Sequence, residues 1–537
     1  MGAVGPTQFI VAVNGRLRSF NKTTGAADGA LNSSMDAFFA SVMTPVSPPV
    51  VLTFTSDPRV RYDRLSGRWI IIIIDVPCTN ATCSSTAPNR VLVAVSNGPT
   101  ITNASNFTFF QFQISGSNFA DYPTLGIDNQ ALYIGANMFT SAGAFAGTDA
   151  AVVRKSSILG AGPIVFTNFT GLVPSSSSAG PFTPQGVGNH DPAATEGYFI
   201  GVDNATFSTL MLRRVSNPGA TPTLSGNISL TVPTTTFPNP VTHLGNTAGN
   251  NGRLDALDDR LYAAHIRNGR LWTAHSFRVN SSGVASTTTA ARNATRWYEI
   301  GNLTTTPILI QSGTVFDSAT ALADAQQYWI PSVMVSGQGH AALGFSAAGT
   351  NFRADAATVG RLATDTLGTT QGAPVRYTSS STAYNPPSDP GGSGGRRWGD
   401  YSYTSLDPLD DMTMWTIQEF CDSTNSYGVR AVKLMAPPPT LSACGMATEL
   451  PTGVATDVAL SGTGIYDPPA TLANRIALSA NVSGSGITVN SVTFNSPTSA
   501  TVNLTAGPGA TTGPVTITLV NPDGQTVMDA SCATVPV

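Results

Sequence analysis

The chain is poor in charge. Only 11% of its 537 residues are Asp, Glu, Lys or Arg, and 27 basic against 31 acidic side chains leave a formal net charge of −4. Lysine is nearly missing, confined to Lys22, Lys155 and Lys433. With no basic field and no polybasic stretch, neither nucleic acid nor an anionic lipid surface is an expected partner. Long apolar runs are missing as well. The longest, from Trp69 through Ile70, Ile71, Ile72 and Ile73 to Ile74, falls far short of the ~20 residues that span a bilayer and reads as a buried strand, so no membrane insertion is expected. Met1-Gly2-Ala3-Val4 carries neither a charged n-region nor an apolar h-region, so a signal peptide has either been removed or never existed, and the composition favours removal. Ser, Thr, Asn and Gly dominate, with 52 glycines. Hydroxyls and amides do the solubilising, the composition of a secreted or cell-surface protein.

Cysteine is scarce, with five in all. Cys78 and Cys83 flank the polar turn Thr79-Asn80-Ala81-Thr82, and Cys444 and Cys532 lie near the two ends of the C-terminal segment. In an oxidising compartment both pairs close and Cys421 is the odd thiol; buried reduced cysteines are the alternative. No Cys or His pair recurs at zinc-ligand spacing.

So long a chain exceeds one ordinary core, and two domains are expected. A strand, a tight polar turn and a second apolar strand recur roughly every 60–75 residues. The unit is clearest at Asp57-Pro58-Arg59-Val60-Arg61-Tyr62-Asp63 followed by Arg68-Trp69 and the isoleucine run. It returns at Tyr122–Asp128 with Ala131–Gly135, at Tyr198–Asp203 with Leu210–Leu212, and at Leu254–Asp258 with Arg260–His265. Further copies stand at Ile330–Val335 with His340–Phe345, and at Trp398–Asp407 with Met412–Ile417. Each copy leaves room for two more strands, and four antiparallel strands make a propeller blade. The opening segment, Phe9–Asn14 and Arg16–Phe20, either forms a partial seventh blade or closes the ring with the last. The expected architecture is all-β: a six- or seven-bladed β-propeller over 1–435, seven blades being favoured, a Pro-rich linker at 436–440, and an immunoglobulin-like β-sandwich over 441–537.

The tail, with Ser461-Gly462-Thr463-Gly464, Gly513-Pro514-Val515-Thr516-Ile517 and Asn521-Pro522-Asp523-Gly524, resembles the IPT/TIG family of immunoglobulin-like domains. That resemblance implies a spacer or binding appendage. The front part carries Ser56-Asp57-Pro58-Arg59-Val60, Tyr62-Asp63, Arg68-Trp69, Ala94-Val95-Ser96, Asp121-Tyr122-Pro123 and Trp398-Gly399-Asp400-Tyr401. It resembles uncharacterised secreted bacterial propeller proteins related in fold to sialidases, which implies a fold and a location but no reaction. The Phe-Arg-Ile-Pro motif and a clean Ser-x-Asp-x-Gly-x-Thr-Trp box of sialidases are missing.

Several residues are candidates for chemistry. Arg59 and Arg61, alternate residues of one strand, share a face and could hold a carboxylate or sulfate; otherwise they lock neighbouring blades. His190 and Glu196 bring a base and an acid together in a loop, and with Tyr401 form the candidate catalytic set, a solvated loop being the alternative. Arg397, Trp398 and Asp400 could build a sugar pocket with an aromatic platform, or a structural corner. Asp255, Asp258 and Asp259 crowd one turn and could hold a structural calcium, or form an arginine-paired turn. No other cofactor is expected. The leading expectation is a non-enzymatic binding or structural protein for a glycan or an extracellular protein. The rivals are a glycoside hydrolase or polysaccharide lyase working in the central pocket, and a subunit that self-associates into a filament or coat.

Overall fold

Apolar residues alternating with hydroxyl-bearing ones, punctuated by Gly, Pro, Asn and Asp, leave antiparallel strands and tight turns as the local solution. The computed structural model describes residues 1–288 and 290–537. They are all-β, 50% strand and 4% helix. The chain divides into two compact units, one of Met1–Val335, Ala341–Ser405 and Trp415–Lys433, the other of Ser336–His340, Leu406–Met414 and Leu434–Val537.

In the first unit each consecutive group of strands folds back on itself. Gly2–Val4, Gln8–Val13, Arg16–Asn21 and Ala27–Ser33 form the first sheet, so the opening segment makes a sheet of its own; Leu52–Asp63, Arg68–Cys78, Val91–Ser96 and Phe107–Phe112 form the second. In the third, Phe119–Asp121 and Gly126–Ile127 share one edge of Ala131–Phe139, followed by Phe145–Arg154 and Phe166–Val173. The fourth is built on Pro181–Asn189, Glu196–Asp203 and Thr209–Ser216, and the fifth on Leu261–Arg267, Arg270–Val279, Arg292–Gly301 and Ile308–Val315. Parallel pairing of Val187, Gly188 and Asn189 with Ala264, His265 and Ile266 joins these two along their first strands. Gln327–Val335, Ala341–Gly349, Phe352–Arg361 and Val375–Arg376 follow, and the last sheet has three strands, Tyr403–Leu406, Met414–Ser423 and Ser426–Leu434.

Four of the sheets share one irregularity in or beside the first strand. Asp57, Tyr122, Thr183 and Ile330 each precede a proline and each has positive φ, between 45° and 67°. The ladders of three of these strands slip at that point, between Ser56 and Arg59, Phe182 and Gln185, and Trp329 and Ser332. Proline has no amide to give a neighbouring strand, so each slip is a bulge that re-aims the side chains around it.

Neighbouring sheets approach backbone to backbone. Thr124 Oγ1 donates to the Pro184 carbonyl at 2.7 Å and accepts from the Gly135 and Gly186 amides at 3.0 Å. A Cβ at Gly135 would collide with the Pro184 carbonyl and one at Gly186 with that of Tyr133, so only glycine allows this approach. The second and third sheets are tied by a buried ion pair, Lys155 Nζ to Asp63 Oδ2 at 2.8 Å, each side chain 4% exposed. Lys155 also donates to the Asp128 carbonyl.

The sequence periodicity misplaces two copies of the repeat. Tyr198–Asp203 lies in the second strand of its sheet, whose first strand is Pro181–Asn189. Two prolines and two glycines in that stretch conceal it as a loop. Likewise Leu261–Arg267, read as a second strand, is the first of its sheet, while Leu254 makes only isolated bridges to Val241 and Arg396.

The second unit contains two four-stranded sheets. One orders Thr440–Leu441, Ala455–Thr463, Ser499–Ala506 and Ile487–Ser496; the other Thr448–Glu449, Thr526–Val535, Gly513–Val520 and Ser479–Val482. Alternate residues such as Val458, Leu460, Val502, Leu504, Ile517 and Leu519 form its single core cluster. Thr440, placed by sequence in the Pro-rich linker, already begins a strand. Both disulfides are present, Cys78–Cys83 and Cys444–Cys532, and Cys421 is a buried free thiol. Among the described residues no helix is long and apolar enough to cross a membrane.

Lys155→Ala should cost about 3–5 kcal/mol of stability in urea unfolding, because it strands Asp63 as a buried unpaired charge. Removing Cys444–Cys532, which closes a separation of 88 residues, should cost about 4 kcal/mol, against about 2 kcal/mol for Cys78–Cys83 with its separation of five. Denaturant midpoints of the serine double variants check this order.

Candidate functional site

The bulges and the loops ahead of the first strands bring arginines and tyrosines together. Arg59, two residues past the positive-φ Asp57, is 2% exposed. Its guanidinium lies 3.8 Å from the centroid of the Tyr401 ring and 4.9 Å from that of Tyr122. Arg61 lies 3.4 Å over Tyr403. The two arginines therefore share a face, as their spacing predicts, but they face tyrosine rings rather than an open channel. Among the described residues neither guanidinium is paired with a carboxylate, and their hydrogen bonds go to the Pro58 and Val60 carbonyls. Tyr122, itself at positive φ, packs 4.7 Å from Tyr401 and donates its hydroxyl to the Asp400 carbonyl at 2.7 Å. Arg260 also stacks on Tyr122, at 4.4 Å, and holds Asp258 through two bonds of 2.7 and 2.6 Å. Arg397 bridges Asp255 at 3.0 Å and Asp400.

Beside this layer is a cleft of about 190 Å³ whose lining includes Tyr384, Arg397, Asp400, Tyr401, Glu419 and Tyr427. Glu419 packs so closely on Gly399 that a Cβ there would overlap its carboxyl. Arg397 and Tyr427 are exposed. Tyr401 Oη and Asp400 Oδ1, though buried, have no hydrogen-bond partner among the described residues.

Burial sets the charge state of the acids. It pushes Glu419 up to about 8, with Asp400 adding repulsion. Asp400 rises to about 6, from burial offset by Arg397 and reinforced by Asp57. Asp121 also rises to about 6, by burial and then by Asp57. The site thus holds carboxyl groups raised towards neutral pH, set beside guanidiniums.

The predicted site residues divide. Arg397, Asp400 and Tyr401 come together at the cleft, with Arg59 stacked against Tyr401. Trp398 also lines the cleft, but it is 1% exposed and its indole N–H donates to Ser346 Oγ at 3.1 Å, so little of its ring is open to a ligand. Tyr427, 49% exposed, has that position instead. His190 and Glu196 do not join each other or Tyr401. His190 follows the strand Pro181–Asn189 and keeps company with Arg64, His265 and Arg267. Burial, and next the nearby Arg64 and Arg267 guanidiniums, hold it well below its ordinary range. Glu196 pairs with Arg214 at 3.3 Å and accepts from Tyr198 Oη at 3.3 Å.

Asp255, Asp258 and Asp259 diverge: the first two bind Arg397 and Arg260, while Asp259 is buried and raised to about 7. Among the described residues no group of three or more His, Cys, Asp or Glu side chains gathers as metal ligands would. Sequence reasoning missed Glu419, Tyr384 and Tyr427. The one signal was a lone glutamate in the otherwise apolar and neutral run Met414–Phe420.

No family model matches the chain, and no curated protein matches it. Among solved structures it is similar to an ulvan lyase of polysaccharide lyase family 25, at 11% identity over 69% of this chain and 90% of that one, with a TM-score of 0.33. It is also similar to the Trypanosoma rangeli sialidase, at 11% identity over 100% and 91%, TM-score 0.33. A protein of unknown function from Dyadobacter fermentans matches at 12% identity over 84% and 95%, TM-score 0.34. None of these likenesses assigns an activity to this chain.

The arrangement offers an aromatic face, a guanidinium, and acids that both accept and donate hydrogen bonds when protonated, a set suited to a polyhydroxylated ring. Glu419 also makes stability depend on pH. Its folded value of about 8 exceeds the ordinary 4.5, so its favourable contribution is fully present below about pH 4.5 and is lost as pH rises towards 8. Glu419→Gln should remove a loss of roughly a few kcal/mol over that window, flattening the dependence of the thermal midpoint on pH and raising it at pH 8. Calorimetry from pH 4.5 to 8.5 measures it; parallel curves for the two proteins would mean Glu419 ionises freely.

Proposed function

We propose that the protein is a secreted glycan-binding protein in which the cleft between Arg397, Asp400, Glu419 and Tyr427 receives a sugar residue. The supporting observation is the lining of that cleft: an exposed tyrosine ring, an exposed guanidinium and two protonatable carboxyls, with Tyr401 Oη and Asp400 Oδ1 unpartnered. Aromatic rings stack on sugar faces, and buried polar atoms without partners favour a ligand that satisfies them. On this reading the successive antiparallel sheets are the seven blades of a propeller spanning 1–435, with a linker at 436–440. The two sheets enclosing the core around Val458 and Ile517 are an IPT/TIG-like sandwich over 441–537. The disulfides agree with an extracellular setting.

A second reading, action on the glycan as a hydrolase or lyase, is favoured by one observation. Asp400 and Glu419 are raised to about 6 and about 8 in a single cleft, so a proton donor is present at neutral pH.

The test is incubation with neutral, uronic-acid and sulfated polysaccharides, reading both depletion of protein from solution and released oligosaccharide. Binding predicts depletion that falls roughly tenfold or more in Tyr427→Ala and Arg397→Met. Release that disappears in Glu419→Gln moves the conclusion to an enzyme. Absence of depletion and release across all classes, with the variants indistinguishable from the parent, overturns both.

A further inference from the structure

The last sheet of the first unit has three strands, whereas the first sheet has four. Their facing surfaces leave a groove of about 410 Å³, within the range of small-molecule sites. Its floor is apolar. Phe9 and Val11 of the first sheet face Trp415 and Val429 of the last, with the Phe9 and Trp415 rings 5.8 Å apart. Its rim is basic: Arg16, Arg18 and Arg430 line it, all three are exposed, and no acidic residue lines it. In a chain with a net charge of −4 that concentration of cations is local and one-signed. The buried indole N–H of Trp415 has no hydrogen-bond partner, a donor placed among apolar walls.

We propose that this groove binds a free single-chain carboxylate, its hydrocarbon tail between Phe9, Val11, Trp415 and Val429 and its head at the arginine rim. An apolar trough alone would accept any hydrophobe, but the unbalanced guanidiniums select a negative head. The groove and the sugar cleft have Val13, Ile417 and Val429 in common along their linings, so the two sites adjoin. The inference stands independently of the glycan reading, because it uses neither Asp400 nor Glu419.

The probe is sodium dodecanoate below its micelle concentration, titrated by calorimetry and by tryptophan fluorescence, with dodecanol and dodecyltrimethylammonium as controls. Saturable one-site binding is expected for dodecanoate, weakened by added salt and at least roughly tenfold weaker in Arg18→Glu and in Arg430→Glu. Both changes lie on exposed side chains and leave the fold intact, which circular dichroism checks. Trp415→Phe should keep most of the affinity and lose most of the fluorescence response. Non-saturating binding, equal affinity for dodecanol, or indifference to both charge reversals would each overturn the proposal. So would concentration-dependent self-association through this face that dodecanoate fails to displace.

Discussion

Proline has no amide hydrogen, so a neighbouring strand cannot pair without interruption along a first strand carrying Pro58, Pro184 or Pro331, and the ladder slips there. The preceding residue takes up the slip in a left-handed conformation, which for Thr183 and Ile330 is costly for a branched side chain. That the same device recurs from sheet to sheet marks it as architectural. Its consequence for the site is direction: Asp57 takes up the slip just ahead of Arg59, Tyr122 turns in the same left-handed conformation between two short strands, and the Arg59 guanidinium stacks on Tyr401.

Scarcity of charge shapes the rest. One ion pair of this chain, Lys155–Asp63, is fully buried, and others are partly covered. Lys155 and Asp63 join two sheets, Arg260 holds Asp258 under a tyrosine, and Asp355 takes Arg376 at 3.2 Å with its own carboxylate 2% exposed. Buried pairs add little net stability over apolar contacts, but each tolerates only one geometry. Of the three, Lys155–Asp63 spans two sheets and fixes how they meet, whereas Arg260–Asp258 is local to one turn and Asp355–Arg376 lies within one sheet. The same low-dielectric surroundings that make those pairs exacting raise the acids of the cleft towards neutrality.

Much of this was legible in the chain. The strand-turn-strand repeat gave the β class and several of the sheets, and Arg59, Arg397, Asp400 and Tyr401 were picked out from local motifs that the fold does assemble. The failures have definite causes. Pro181–Asn189 went unread as a strand because the features that make its bulge are also loop features. His190 and Glu196, six residues apart, were joined by sequence proximity, yet the hairpin carries them to different partners. Trp398 satisfied the search for an aromatic platform, but a tryptophan with its N–H bonded to Ser346 belongs to the core, and the exposed ring comes from Tyr427 on another strand. Glu419 could not have been placed at all without knowing that Gly399 packs against it.

The enclosure of Lys155 has an effect on how the molecule meets reagents. Of three lysine side chains, one is sealed between sheets, so lysine-directed reagents find Lys22, beside the basic-rimmed groove, and the exposed Lys433. A protein tethered or labelled through its lysines is therefore held at very few points, one of them next to a candidate binding surface. Attachment through carboxylates or an added tag would leave that face open.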